Sequence, residues 1–135
     1  MTEAFIKQWY SRIPEMERDL PLIYYKGKVY SPKDVYEEVV EKHSELGEEL
    51  QNMLERMASP HTVSYEDLKS IKIAAEERIK KLLDYLPKDF SIVALSGEII
   101  GKDQILERLR NAAIEFEMRK ILKLIKGDNY EDTFP

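Results

Sequence analysis

Two histidines, His43 and His61, are the only imidazoles in the chain, and cysteine is absent. Disulfides, zinc ribbons and thiolate nucleophiles are therefore excluded. Any site for chemistry has to be built from imidazole, carboxylate, phenol, hydroxyl and amine groups. His43 stands between Glu41 and Glu45, but side chains two residues apart point to different sides of a helix and do not share a metal easily. No Glu-x-x-His pair and no His-Glu-x-x-His run occurs, so the patterns of di-iron bundles and zincins are missing. His61 sits in "SPHT", near Ser59, Thr62 and Asp67 in sequence. A hydrolytic triad needs a spatial geometry that nearness in sequence does not supply, and a loop histidine is the simpler reading. The 5 glycines are scattered singly, leaving no phosphate-cradling loop. No catalytic, cofactor-binding or metal-ligating residue is assigned.

The charged residues are more informative. Glu37, Glu41, Glu45 and Glu48 recur at helical spacing, and none has a Lys or Arg four residues downstream. On one continuous helix they form an acidic ridge, each like-charged pair costing roughly 0.2–0.5 kcal/mol. Aligned carboxylates attract hard cations, but a bare helix face lacks the loop that completes a coordination shell. Arg119, Lys123 and Lys126 form a basic ridge of the same kind. Residues 1–60 hold 12 acidic and 8 basic groups, net −4, while 101–127 hold 4 acidic and 7 basic, net +3. Two such ridges can answer each other within one chain or between copies, choosing partner and orientation more than adding stability. The plainer account is two solvated faces.

These residues need elements to position them. Phe5, Ile6, Trp9, Tyr10 and Ile13 recur at helical spacing behind Thr2, a good N-cap, and Pro14 closes that short helix. "LIYYKGKVY" reads as a β-hairpin turning at Lys26-Gly27. Alternation sends Tyr24 and Tyr25 to opposite faces, so at least one ring is expected in solvent as a contact residue or as a cover for the core edge. "SPKD" is a helix start, with Ser31 as cap, Pro32 in the first turn and Asp34 closing the box. Val35, Val39, His43, Leu46, Leu50, Met53 and Met57 then alternate by four and three. Such a stripe belongs against another helix, in this chain or a second copy. Ser64 caps a further helix that Pro87 ends, "DFSIVALSGEII" is a second hairpin, and a last helix runs from 102 to 126 with Gly127 as its C-terminal glycine.

Arg18–Val39 aligns with Lys88–Leu109 without a gap. Gly27 then falls on Gly97, Ile23 on Val93, Val29 on Ile99, and Val35 on Ile105. The expected fold is therefore helix-dominated α+β: an N-terminal short helix, two pseudo-repeated β-hairpin–helix units (18–57 and 88–127) and a connecting helix, 64–86, within a single domain of residues 1–127. Each hairpin is marginal alone, but joined they could make a small antiparallel sheet with helices on one face; the sequence leaves open whether they do. Residues 128–135 are an acidic tail without periodicity.

With 43% apolar and 35% charged residues the chain is of the folded class. Glu and Lys together number 32 against 6 for Asn and Gln, a bias that hot environments select and that helix-rich chains also favour. The N-terminus lacks a basic and apolar leader, and no run of about 18 apolar residues is available for a span. A soluble cytoplasmic protein without membrane contact or cofactor is expected.

The functional reading that follows is a non-enzymatic interaction or assembly module. It self-associates, most simply as a dimer, or meets another protein, through its long helices. Glu37, Glu41, Glu45, Glu48, Arg119, Lys123, Lys126, Leu46, Leu50 and Met53 are the contact candidates. The alternative is nucleic-acid binding by Arg108, Arg110, Arg119, Lys120, Lys123 and Lys126, which a net charge of −5 opposes. An enzyme using Glu or Asp with Tyr in a cleft between the units ranks third, with no acid or base assigned; a deep pocket collecting Glu107, Tyr36 or His43 would revive it.

Overall fold

The helix starts read at Ser31 and Ser64 rest on side-chain caps. The computed structural model describes residues 3–60 and 63–130, so Thr2, His61 and the end of the tail lie outside it. Helix α1 (Ala4–Arg12) is followed by a single 3-10 turn at Glu15–Glu17. Strands β1 (Ile23–Tyr25) and β2 (Lys28–Tyr30) pair antiparallel about Lys26-Gly27. Both turn residues have positive φ, 47° and 87°, the geometry whose twist matches the flanking strands. Ser31 then caps α2 (Pro32–Tyr36) in a full capping box with Asp34. Helix α3 (Glu45–Ala58) starts at Ser44, and α4 (Tyr65–Asp84) at Ser64. Strands β3 (Ser91–Val93) and β4 (Ile99–Gly101) form the second hairpin, which leads directly into α5 (Lys102–Lys126). The α+β, helix-dominated class is observed.

The stripe from Val35 to Met57 does not ride on one helix. After Tyr36 the backbone loosens into a π-helical stretch, Glu37–Glu41, and Lys42 N–H donates to the Glu37 carbonyl at 2.8 Å. His43 takes a φ of 51°, and Ser44 opens the next helix. Gly47 permits this corner, because a Cβ there would run into the Glu38 carbonyl. His43 is consequently exposed, with Nδ1 2.8 Å from Glu3 Oε1, and is not a core histidine as the spacing suggests.

The stripe on either side of that corner is core. Val35, Val39, Leu50, Met53, Leu54 and Met57 are buried with Ile6, Trp9 and Ile13 of α1, Ile71, Ala74, Ala75 and Ile79 of α4, and Ile114, Met118, Ile121 and Ile125 of α5. Trp9 Nε1 donates to the Leu124 carbonyl at 3.1 Å, tying α1 to α5. The first hairpin lies on α4, where Ser70 Oγ accepts from Tyr24 N–H at 2.9 Å and donates to the Tyr24 carbonyl at 2.5 Å. Tyr24 and Tyr25 are both half-buried, so neither ring stands free.

The hairpins are two separate sheets rather than one. Among the described residues from 80 to 113, only Ile100 is buried. The last turn and a half of α4, the second hairpin and the first half of α5 thus form an arm beyond the core. Among the described residues no helix is long and apolar enough to cross a membrane.

Candidate interaction surface

The residues expected to make contacts divide sharply by position. Leu50 and Met53 are inside the chain's own core and Leu46 is packed against it. They are not offered to a partner, because α1, α4 and α5 already cover the face they share. Glu37 and Glu41 belong to the π-helical stretch, whereas Glu45 and Glu48 lie in the first turn of α3. The left-handed residue between them breaks the continuous acidic ridge. At the start of α3 two carboxylates are favourable for a local reason, the positive end of the helix dipole.

The cations of α5 are largely engaged within the chain. Lys126 Nζ donates to the Ser59 carbonyl, and burial lowers its pKa. Lys123 Nζ lies 5.4 Å from the centre of the Tyr130 ring, and Arg119 is half-buried. Arg110 pairs with Glu76 at 3.1 Å. Arg108 grips Glu98 with two hydrogen bonds of 2.7 Å, holding the Glu98 carboxyl below its ordinary pKa and tying the hairpin tip to α5. The acid–base candidates stay apart: Tyr36 stacks on Tyr10 at 4.5 Å, His43 meets Glu3, and Glu107 is exposed on α5.

Lys120 leads to a feature that the charge pattern did not reveal. Its Nζ is 2.9 Å from Glu17 Oε1, and the other oxygen of Glu17 accepts from Arg78 Nη2 at 2.7 Å. Arg78 Nε also donates to Glu117 Oε1 at 3.0 Å, and the Arg78 side chain is fully buried. Burial by itself would raise the Glu17 carboxyl, but the hydrogen bonds from Lys120 and Arg78 outweigh it and hold the group below its ordinary value. The cluster clamps the 3-10 turn, α4 and α5 together from inside. The signal for it was present: Arg78 stands seven residues after Ile71, on the apolar stripe of α4.

Unlike that interior, the arm is apolar on its outside. Val93 is 71% exposed, Leu95 110%, Ile99 68%, Leu109 41% and Phe116 63%. Val93 and Ile99 are cross-strand partners on the outer face of the hairpin. Leu109 and Phe116 are two turns apart on α5, with exposed Ala112 between them and half-buried Ile105 before them.

Among the described residues, no group of three His, Asp or Glu side chains gathers to hold a metal ion. A shallow groove of about 250 Å³ opens where the end of α4 meets the start of α5, lined by Lys80, Leu83, Asp84, Lys102 and Asp103. Its charged groups are two cations and two carboxylates. No protein-family model matches the chain, and no curated protein or solved structure matches it significantly.

Proposed function

We propose that this protein is a non-enzymatic assembly module of the cytoplasm that self-associates through its arm. The observation that carries the reading is the outward apolar set Val93, Leu95, Ile99 and Leu109 on the arm, continued by Phe116 on the exposed face of the next turn of α5. Burying a large aliphatic or aromatic side chain contributes about 1.5–3 kcal/mol, so even partial cover of five such groups favours association. The contact surface moves from the stripe at Leu46, Leu50 and Met53 to the second hairpin and α5.

Sedimentation equilibrium over a concentration series tests the reading. The mass is expected to rise above the 15.9 kDa of one chain as concentration increases. A mass that stays at that value up to about 1 mM, where even weak complexes form, overturns it.

Nucleic-acid binding ranks second. It draws on the net +3 of residues 101–127. However, three of its six cations, Arg108, Arg110 and Lys120, are held by Glu98, Glu76 and Glu17. Salt-dependent retention on DNA or RNA, lost on Lys123→Glu with Lys126→Glu, would raise this reading above the first.

A further inference from the structure

We infer that the partner on the arm is a second copy of this chain, its α5 lying antiparallel to the first across a two-fold axis between Arg110 and Asn111. The inference rests on the self-association reading and adds the geometry. Ile105, Leu109, Ala112 and Phe116 step by four, three and four. At 3.6 residues per turn their mean direction is about 180° from that of the buried Ile114, Met118, Ile121 and Ile125. The helix therefore carries two apolar stripes, one facing the core and one facing away. The outer stripe spans about 16 Å of helix axis and is bounded by Lys102 at one end and by Arg119 and Lys123 at the other. A seam this short belongs to a weak, reversible dimer.

Size and charge both select the antiparallel arrangement. Pairing about that axis sets Leu109 against the partner's Ala112, large against small, and Ile105 against the partner's Phe116. Arg108 and Glu115 are exposed and lie one heptad apart on the same flank of the stripe. In an antiparallel pair this flank meets its own counterpart, so the Arg108 guanidinium, which holds Glu98 through Nη1 and Nη2 and has further N–H donors for a second carboxylate, faces the partner's Glu115, and symmetry repeats the contact. Within one chain the two are about 10 Å apart along the axis and do not meet. A parallel pair would set Arg108 against Ala113, an uncharged residue, and so lose the contact with Glu115 that the antiparallel pair makes twice.

The cysteine-free background makes a disulfide test clean. Ile105→Cys and Phe116→Cys are prepared separately, mixed and oxidised under conditions where the wild type sediments above monomer mass. The expected product is the mixed 105–116 crosslink, with neither variant crosslinking to itself. Self-crosslinks at 105 and at 116 would show a parallel pair and overturn the inference. An associated protein that yields neither crosslink would also overturn it while leaving the assembly reading intact; a strict monomer removes both. A charge exchange supplies an independent readout. Arg108→Glu is expected to weaken the dimer roughly tenfold, and adding Glu115→Arg is expected to restore it. Absence of that rescue contradicts the facing of Arg108 and Glu115.

Discussion

The two hairpins start from similar sequences and end in opposite environments. In the first, a two-residue turn places Ile23 opposite Tyr30, and both face the core at 0% and 8% exposure. In the second, the loop is longer. Ala94 N–H donates to the Glu98 carbonyl and Gly97 N–H to the Ala94 carbonyl, both at 2.8 Å, and Gly97 has a φ of 88°. This is the three-residue loop in which a glycine absorbs one extra position. Val93, which the gap-free alignment matches to Ile23, consequently pairs with Ile99 and not with Ile100. A slip of one residue exchanges the faces of a strand, and the pair Val93–Ile99 turns outward. One added loop residue thus separates a hairpin that builds the core from one that offers its apolar side to the surroundings.

The contrast between body and arm can be tested by mutation. The largest effect is expected at the buried ion cluster. Arg78→Ala leaves Glu17 and Glu117 buried without their shared partner and should cost about 3–5 kcal/mol, whereas Arg108→Ala, which breaks a solvent-screened pair, should leave stability nearly unchanged; urea denaturation measures both. Next, Ile23→Ala should cost about 2–5 kcal/mol through the cavity it leaves. Its aligned counterpart Val93→Ala should stay within about 0.5 kcal/mol in the monomer. Equal losses at 23 and 93 would break the comparison.

Acid unfolding gives a smaller and subtler difference. Because the folded Glu17 pKa lies below its unfolded value, its contribution is complete above the unfolded pKa and is lost as pH falls through the folded one. Glu17→Gln should therefore flatten the acid limb of the stability curve, and Glu98→Gln should leave that limb nearly unchanged. Last, amides of 102–113 should exchange faster than those of 114–125, although all belong to one helix, because only the latter half is packed in the core.

Much of the fold was legible because local chemistry determines it. Ser31 with Asp34, Ser64 with Asp67, Lys26-Gly27 and Gly127 each encode a start or a turn that the structure contains. The corner at His43 was not legible in the same way. The spacing through Val35, His43 and Leu50 fits one unbroken helix, and the contrary signal, Gly47 packed on the Glu38 carbonyl, concerns a contact made only after the chain turns. Nor does an apolar stripe state what covers it: Leu50 and Met53 looked available for a partner but are sealed by α1, α4 and α5. The outer stripe at Leu109 and Phe116 was obscured because α5 is apolar on two sides, and only burial tells them apart. The ion pairs of Arg108 and Arg110 join groups distant in sequence, which a count of charges treats as free.

The most direct test of the arm as the assembly surface is a map of backbone amide chemical shifts recorded over a concentration series. The account predicts changes confined to residues 91–101 and 105–116, with 45–57 unmoved. Changes centred on 45–57, or no change at any residue, would contradict it.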